Sequence, residues 1–144
     1  MPITVSNSTP LIHLAKIGQL HLLPEWFGTL LIPNAVYTEC VLDGRGYEES
    51  TQIAQANWLQ VVPVVNQTLL TLLNSELDKG EAEAIVLALE QSADRLLLDD
   101  AEGRNKARLY GLPCTGTLGI LLRAQKLNKL EPVQNLFRRR ERKA

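Results

Sequence analysis

The chain has 144 residues, of which 45% are hydrophobic, so it is long enough and apolar enough to bury the core of one domain. Its formal net charge of −1 is unlike that of a disordered chain or of a strongly basic nucleic-acid-binding protein. The sequence has no apolar run of about 18 residues, no visible secretory signal and no disulfide framework, which predicts a cytoplasmic protein without a membrane span.

The charges are distributed unevenly along the chain. Residues 138–144 carry five basic side chains and one acidic side chain, whereas residues 1–137 have a net charge of −5. We therefore expect a single domain over residues 1–134 and a basic C-terminal tail over residues 135–144. Such a tail either helps to hold an anionic partner or is simply solvated.

Short β-rich runs alternate with helical patterns throughout the predicted domain. Strands are predicted at residues 3–6, 29–32, 59–62, 95–98 and 112–114. Helical patterns are predicted at residues 11–17, 20–26, 33–42, 51–56, 67–73, 80–91, 101–110 and 117–126. This alternation indicates right-handed βαβ units, so we predict an α/β fold with three α/β/α layers and a central, mostly parallel twisted sheet.

Short polar side chains follow three of the predicted strands. Asn7 follows the first strand, Asp99 and Asp100 follow the fourth, and Thr117 comes shortly after the fifth. Ligands bind beyond the carboxyl ends of the strands in parallel sheets, so these residues are candidates for a functional site. Either aspartate alone is equally well explained as a helix cap, but two adjacent acids exceed what one cap requires.

Two predicted helices carry a glutamate on an otherwise apolar face. Glu81 shares its face of helix 80–91 with small and aliphatic residues, and Glu39 does the same in helix 33–42 with Ala35, Val36 and Leu42. Glu83 instead aligns with Glu90, seven residues further on, as a solvent-facing pair would. A buried carboxylate is costly unless it is paired or binds a metal. The alternatives are a favourable charge at a helix N-terminus for Glu81 and a salt bridge to an arginine for Glu39.

Clustered carboxylates without histidine or cysteine ligands favour a hard cation, either Mg²⁺ or Mn²⁺, over Zn²⁺. His13 and His21 are eight residues apart, which is not the spacing of a metal-binding pair, and we expect both on helix surfaces. Magnesium held by carboxylates most often serves phosphate chemistry, in which it activates water and stabilises charge on a phosphodiester.

Four blocks of sequence stand out, in order, between about residues 3 and 130. They are VSNSTPLI followed by LAKIG (5–12 and 14–18), LDKGEAEAI (77–85), LLDDAEGR (97–104) and GLPCTGTLG (111–119). Together they resemble the PIN-domain family, and they look closest to a prokaryotic branch related to VapC-type toxins. The resemblance implies an α/β/α fold and a metal-dependent ribonuclease, which is a hydrolase of phosphodiester bonds.

The resemblance also implies which residues form the site. By position, the acidic quartet that holds Mg²⁺ or Mn²⁺ in this family corresponds to Asn7, Glu39, Glu81 and Asp100, with Asp99 beside it. Thr117 would be a supporting hydroxyl. The first acid of the family is usually aspartate, and Asn7 offers a carbonyl oxygen without a charge and cannot act as a base. Its presence should weaken metal binding and puts the activity in question.

Three functions are compatible with these patterns. The first is an endoribonuclease that cleaves single-stranded or structured RNA, which the resemblance implies to be the toxin-like member of a toxin–antitoxin pair, with a small antitoxin partner and a homodimeric state. The second is a catalytically weakened PIN-fold module that binds RNA or protein, because Asn7 replaces the usual aspartate. The third is a receiver-like phosphoacceptor domain, which would need paired acids after the first strand and a lysine after the last.

Two arginines are candidates for contact with RNA. Arg104 and Arg108 are four residues apart in helix 101–110 and therefore share a face. Contacts to the nucleic-acid backbone are electrostatic, so we predict that both bind phosphates. A solvated helix face is the alternative.

Overall fold

A computed structural model of the chain describes residues 2–127. The sheet has five strands: β1 (Thr4–Ser6), β2 (Leu30–Ile32), β3 (Leu59–Val61), β4 (Arg95–Leu97) and β5 (Cys114–Thr115). The strand order is β3-β2-β1-β4-β5, and every neighbouring pair is parallel. The predicted three-layer α/β/α class is confirmed, with a sheet that is parallel throughout. The predicted C-terminal tail and the domain end at residue 134 lie outside the described residues.

Eight α-helices connect or follow the strands within residues 2–127. They are α1 (Ser8–Lys16), α2 (Leu22–Phe27), α3 (Asn34–Tyr37), α4 (Glu48–Ala54), α5 (Gln67–Asn74), α6 (Lys79–Glu90), α7 (Ala101–Leu109) and α8 (Thr117–Lys126). None of these helices is long and apolar enough to cross a membrane. Every predicted strand and helix is present, and most of their first and last residues lie within three positions of the predicted ones.

Helices cover both faces of the sheet, and β4 shows how. Leu97 packs with residues of α1, α2, α4 and α8, whereas Leu96 and Leu98 pack with residues of α5, α6 and α7. All three leucines are fully buried, because successive side chains of a strand point to opposite faces. A continuous apolar run is therefore needed in this central strand, since neither of its faces meets solvent.

The predicted helix 33–42 is not one regular helix. The chain forms α3 and then a π-helical turn, Thr38–Leu42, in which the backbone N–H of Asp43 donates to the carbonyl of Thr38 at 2.8 Å. The wider turn changes which residues share a face, so Leu42 is 45% exposed. The predicted apolar stripe through Glu39 and Leu42 was wrong, because it assumed a period of 3.6 residues throughout.

Glu83 and Glu90 do not form a solvent-facing pair. Glu83 is only 7% exposed, and its Oε1 accepts a hydrogen bond from the backbone N–H of Ala35 at 3.1 Å. Glu90 accepts from the backbone N–H groups of Val65 and Asn66, just before α5. The prediction was wrong because α3 and α5 pack against α6, and these glutamates satisfy N–H groups at the N-termini of both neighbours.

Candidate active site

The candidate site lies at the carboxyl edge of the sheet, where β1 and β4 are adjacent. From β1 the chain continues to β2 and β3 on one side, whereas β4 and β5 lie on the other, so a crevice opens at this switch point. Asn7 follows β1, and its backbone N–H donates to the carbonyl of Leu97 at 2.9 Å. The Asn7 side chain is 4% exposed, and its Oδ1 has no hydrogen-bond partner within residues 2–127.

Glu39 approaches this crevice from the π-helical turn. Its Oε2 accepts a hydrogen bond from the hydroxyl of Ser8 at 3.0 Å, and Ser8 follows Asn7 directly. Its Oε1 lies against Gly80, where a β-carbon would overlap the carboxylate. Burial raises the pKa of Glu39, the Ser8 hydroxyl opposes this, and nearby acids such as Asp78 raise it further. Glu39 is therefore held at the N-terminus of α6 by Ser8 and a glycine, and the expected salt bridge to an arginine is absent among the described residues.

Glu81 lies in the first turn of α6 and is 9% exposed. Asp78 caps this helix, since its Oδ1 accepts from the backbone N–H of Glu81 at 2.8 Å. The Glu81 side chain lies beside the carboxylates of Asp78 and Asp100. Burial and these two acids raise the pKa of Glu81 to about 9. Its Oε2 is buried and has no hydrogen-bond partner in the part of the chain that the structure describes.

Asp100 caps α7 and also contacts Glu81. Its Oδ2 accepts from the backbone N–H of Gly103 at 2.8 Å, and this bond lowers the pKa of Asp100, with a further contribution from Glu81. The cap interpretation of Asp100 is thus confirmed without removing it from the cluster. A β-carbon at Gly103 would lie 2.9 Å from Glu81 Oε2 and 3.5 Å from Asp100 Oδ2. Glycine at this position leaves room for the two carboxylates to approach each other.

Asp99 points to a different set of partners. Its Oδ1 accepts from the Thr117 backbone N–H at 2.5 Å, and its Oδ2 accepts from the Thr117 hydroxyl at 2.6 Å. The Nδ1 atom of His13 lies 3.2 Å from the same Oδ2. Asp99 therefore caps α8, whose own cap position is Gly116. His13 was not predicted at this site, because a contact between residues 86 apart in the chain leaves no local pattern.

The two predicted phosphate-binding arginines lie close to this edge. Arg104 is partly buried and is near both Asp100 and Gly116. Arg108 is exposed, and its Nη1 lies 3.5 Å from Asn105 Oδ1. Both arginines, together with Arg95, act on the Cys114 thiol, whose pKa burial raises and these cations lower. Positive charge is thus concentrated beside β5.

The donor set suits a hard cation. Glu81 and Asp100 form a close pair, and Glu39 lies against the first turn of the helix that carries Glu81. Within residues 2–127, no three His, Cys, Asp or Glu side chains are close enough together to hold a metal ion jointly. Mg²⁺ commonly uses only one or two carboxylates and keeps several waters. The buried oxygens of Asn7 and Glu81, which lack hydrogen-bond partners in the described part of the chain, are hard donors of the kind that Mg²⁺ and Mn²⁺ prefer.

The family model described as PIN domain matches residues 3–143, which is nearly the whole chain. No curated protein matches the chain.

Proposed function

The chain belongs to the PIN-domain family, and from this premise we propose that it is a metal-dependent endoribonuclease. PIN domains are generally nucleases that use divalent metal ions and bind nucleic acid. The observation that carries the proposal is the Glu81–Asp100 pair at the carboxyl edge of the sheet. The Oε2 atom of Glu81 is buried and has no hydrogen-bond partner within residues 2–127. Burial and the neighbouring acids raise the pKa of Glu81 to about 9. Two neighbouring carboxylates in a buried position destabilise the folded protein when both are ionised, and a bound cation would offset this cost.

We propose that Glu81 and Asp100 would hold the ion, Mg²⁺ or Mn²⁺, directly. Glu39 and Asp99 are the further ligands that the resemblance implies, although no three carboxylates in the described part of the chain lie close enough together to share an ion. When bound, it would supply positive charge to the phosphodiester and make a water more acidic for in-line attack. Asn7 contributes only a carbonyl oxygen. Ser8 orients Glu39 through its hydroxyl, and Thr117 fixes Asp99 through two hydrogen bonds. Thr117 therefore acts as a positioning residue for Asp99.

Two substitutions of Asp100 test the assignment, because one of them preserves its structural role. Asparagine caps a helix about as well as aspartate, whereas alanine loses about 1 kcal/mol of stability. We expect the parent to cleave single-stranded RNA with Mn²⁺ and to stop in EDTA. Asp100→Asn should reduce this activity by about 100-fold or more without changing the melting temperature. Asp100→Ala should reduce the activity to the same extent and also lower the melting temperature. If Asp100→Asn cuts RNA as fast as the parent, the site assignment is wrong.

Arg104 and Arg108 are proposed to bind phosphates of the RNA. Replacing both with alanine should weaken RNA binding and reduce the slope of log K against log salt concentration by about 1 to 2. Lys106→Ala is a matched control on the same helix, since Lys106 is paired with Glu76. Filter binding or anisotropy between about 50 and 200 mM salt measures the slope. An unchanged slope in the double variant would return both arginines to the role of a solvated helix face.

The toxin-like role, the antitoxin partner and the homodimer are proposed from the resemblance to the VapC-related branch. Exposed leucines at positions 109 and 122 support this part of the proposal, because they leave apolar surface that a protein partner would cover. The competing function is a weakened PIN-fold binding module, and Asn7 is the observation that favours it. Calorimetric titration with Mn²⁺ separates the two, since a degenerate site would bind no metal until Asn7→Asp restores the missing charge.

A further inference from the structure

A cleft with a volume of about 510 Å³ opens beside the acidic site, at the same edge of the sheet. It lies between α1, the start of α7 and the start of α8. Its lining combines polar residues, Arg104, His13 and the Asp99–Thr117 pair, with apolar residues, Ile17, Leu118 and Leu121. A pocket of this size and mixed character is typical of small-molecule and nucleotide sites.

Arg104 offers this cleft a guanidinium for an anionic ligand, beside the Asp99 carboxylate. Both oxygens of Asp99 are already engaged, by the backbone N–H and hydroxyl of Thr117 and by His13. No carboxylate within residues 2–127 forms an ion pair with Arg104, so its guanidinium is available to an anion. A phosphate is the anion that such a guanidinium binds best.

The apolar residues of the lining suit a flat, unpaired base. Leu118 is 55% exposed although it lies at the start of α8, next to the Asp99-capped turn. Ile17 is partly buried at the end of α1. Gly119 also lines the cleft, and because it has no side chain it leaves space there. An exposed leucine at a cleft that also holds a guanidinium gives an apolar surface for a base and a cation for its phosphate.

We propose that this cleft binds one nucleotide of the substrate strand, next to the phosphate that is cut. The base packs against Ile17 and Leu118, and the phosphate contacts Arg104. The role in the substrate strand rests on the nuclease function proposed above. Binding of a free nucleotide does not, because it requires neither metal nor cleavage.

Gly119 offers a direct way to close the cleft. A β-carbon built there meets only Thr115 Cγ2, at 3.4 Å, and otherwise open space. Leucine at this helical position should therefore be accommodated, and it gains helix propensity of up to about 1 kcal/mol over glycine. The longer side chain would occupy space that the base needs. Lys126→Leu is the matched control, since it adds the same side chain at an exposed position of α8 outside the cleft.

The test is a titration of the full chain in EDTA with nucleoside 5′-monophosphates and, separately, with inorganic phosphate, followed by amide NMR shifts. We expect nucleotides to shift the amides of Gly116, Thr117 and Gly119, and to bind at least fivefold more tightly than phosphate. Gly119→Leu should weaken binding at least tenfold, Arg104→Gln at least fivefold, and Lys126→Leu not at all.

Three results would overturn the proposal: no shifts at these amides, equal affinity for phosphate and nucleotide, or parental affinity in both Gly119→Leu and Arg104→Gln. Arg104→Gln keeps the test decisive if Gly119→Leu fails to fold. Nucleotide binding by a chain that cuts no RNA with Mn²⁺ would support the cleft and contradict the nuclease. RNA cleavage with Mn²⁺ without nucleotide binding in the cleft would do the reverse.

Discussion

Replacing Glu81 with glutamine is expected to stabilise the metal-free protein and to reduce metal-dependent RNA cleavage by about 100-fold or more. Glu81 is 9% exposed and lies beside the carboxylates of Asp78 and Asp100. Glutamine keeps the shape of the side chain and can donate a hydrogen bond to either neighbour. It also removes the charge that the ion needs. We expect a gain of about 1 to 3 kcal/mol, measured by thermal or urea unfolding in EDTA.

The gain should depend on pH, and its sign follows from the raised pKa of Glu81. Between its ordinary value near 4.5 and the folded value of about 9, the folded protein holds a proton that the unfolded chain has released. The folded state then binds more protons, so the parent loses stability as pH rises through this window. Glutamine has no such proton. The stability difference between Glu81→Gln and the parent should therefore widen from pH 5 to pH 8, and a constant difference would contradict the assigned environment.

Glu83→Gln is the matched control, because it makes the same change two residues along the same helix. Glu83 is equally buried, but its Oε1 accepts from the backbone N–H of Ala35. Losing its charge should weaken this bond at the N-terminus of α3 and destabilise the protein, by about 0.5 to 1.5 kcal/mol. Mn²⁺ affinity should not change. If Glu83→Gln also stabilises the metal-free protein, then general charge repulsion along α6, and not a site at Glu81, would explain the first result.

The contrast between Glu81 and Glu83 shows what a sequence pattern can predict. The sheet was predictable because runs such as Arg95 to Leu98 carry local information about burial on both faces. The orientation of Glu83 was not, since whether its helix face meets solvent depends on α3, whose Ala35 lies 48 residues earlier in the chain. The same limit applies to His13, whose partner Asp99 comes from another strand end.

Glu39 illustrates a second limit. Its inclusion in the site came from the family resemblance and from a helical stripe, and the stripe was drawn with the wrong period. The π-helical turn at Thr38–Leu42 has no clear sequence signature, yet it determines where Glu39 lies. Two glycines mark the positions of these carboxylates more directly than the helical pattern does. Gly80 and Gly103 lie where a β-carbon would crowd Glu39 and Glu81, so the glycines in these two blocks are explained by the carboxylates they contact.

Replacing Asn7 with aspartate should have opposite effects with and without metal. Asn7 is 4% exposed, and its Oδ1 has no partner within residues 2–127. A carboxylate there would be buried close to other acids, so we expect the metal-free protein to lose about 2 kcal/mol. The same charge would add to the attraction for a divalent ion. Mn²⁺ affinity, measured by calorimetry, should rise by about 100-fold, because affinity for hard cations depends on the number of charged ligands.

These two effects predict a reversal that a simple loss of stability would not produce. A bound ion stabilises the folded state by RT ln(1 + [L]/Kd), so at saturating Mn²⁺ a 100-fold lower Kd adds about 2.7 kcal/mol, which exceeds the loss of about 2 kcal/mol. Asn7→Asp should therefore melt below the parent in EDTA, and the difference should shrink and then change sign as Mn²⁺ is added. Asn34→Asp makes the same change at the exposed first residue of α3 and should alter neither value by much. If Asn7→Asp melts below the parent at every Mn²⁺ concentration, the Asn7 oxygen does not face the ion and the proposed site must exclude it.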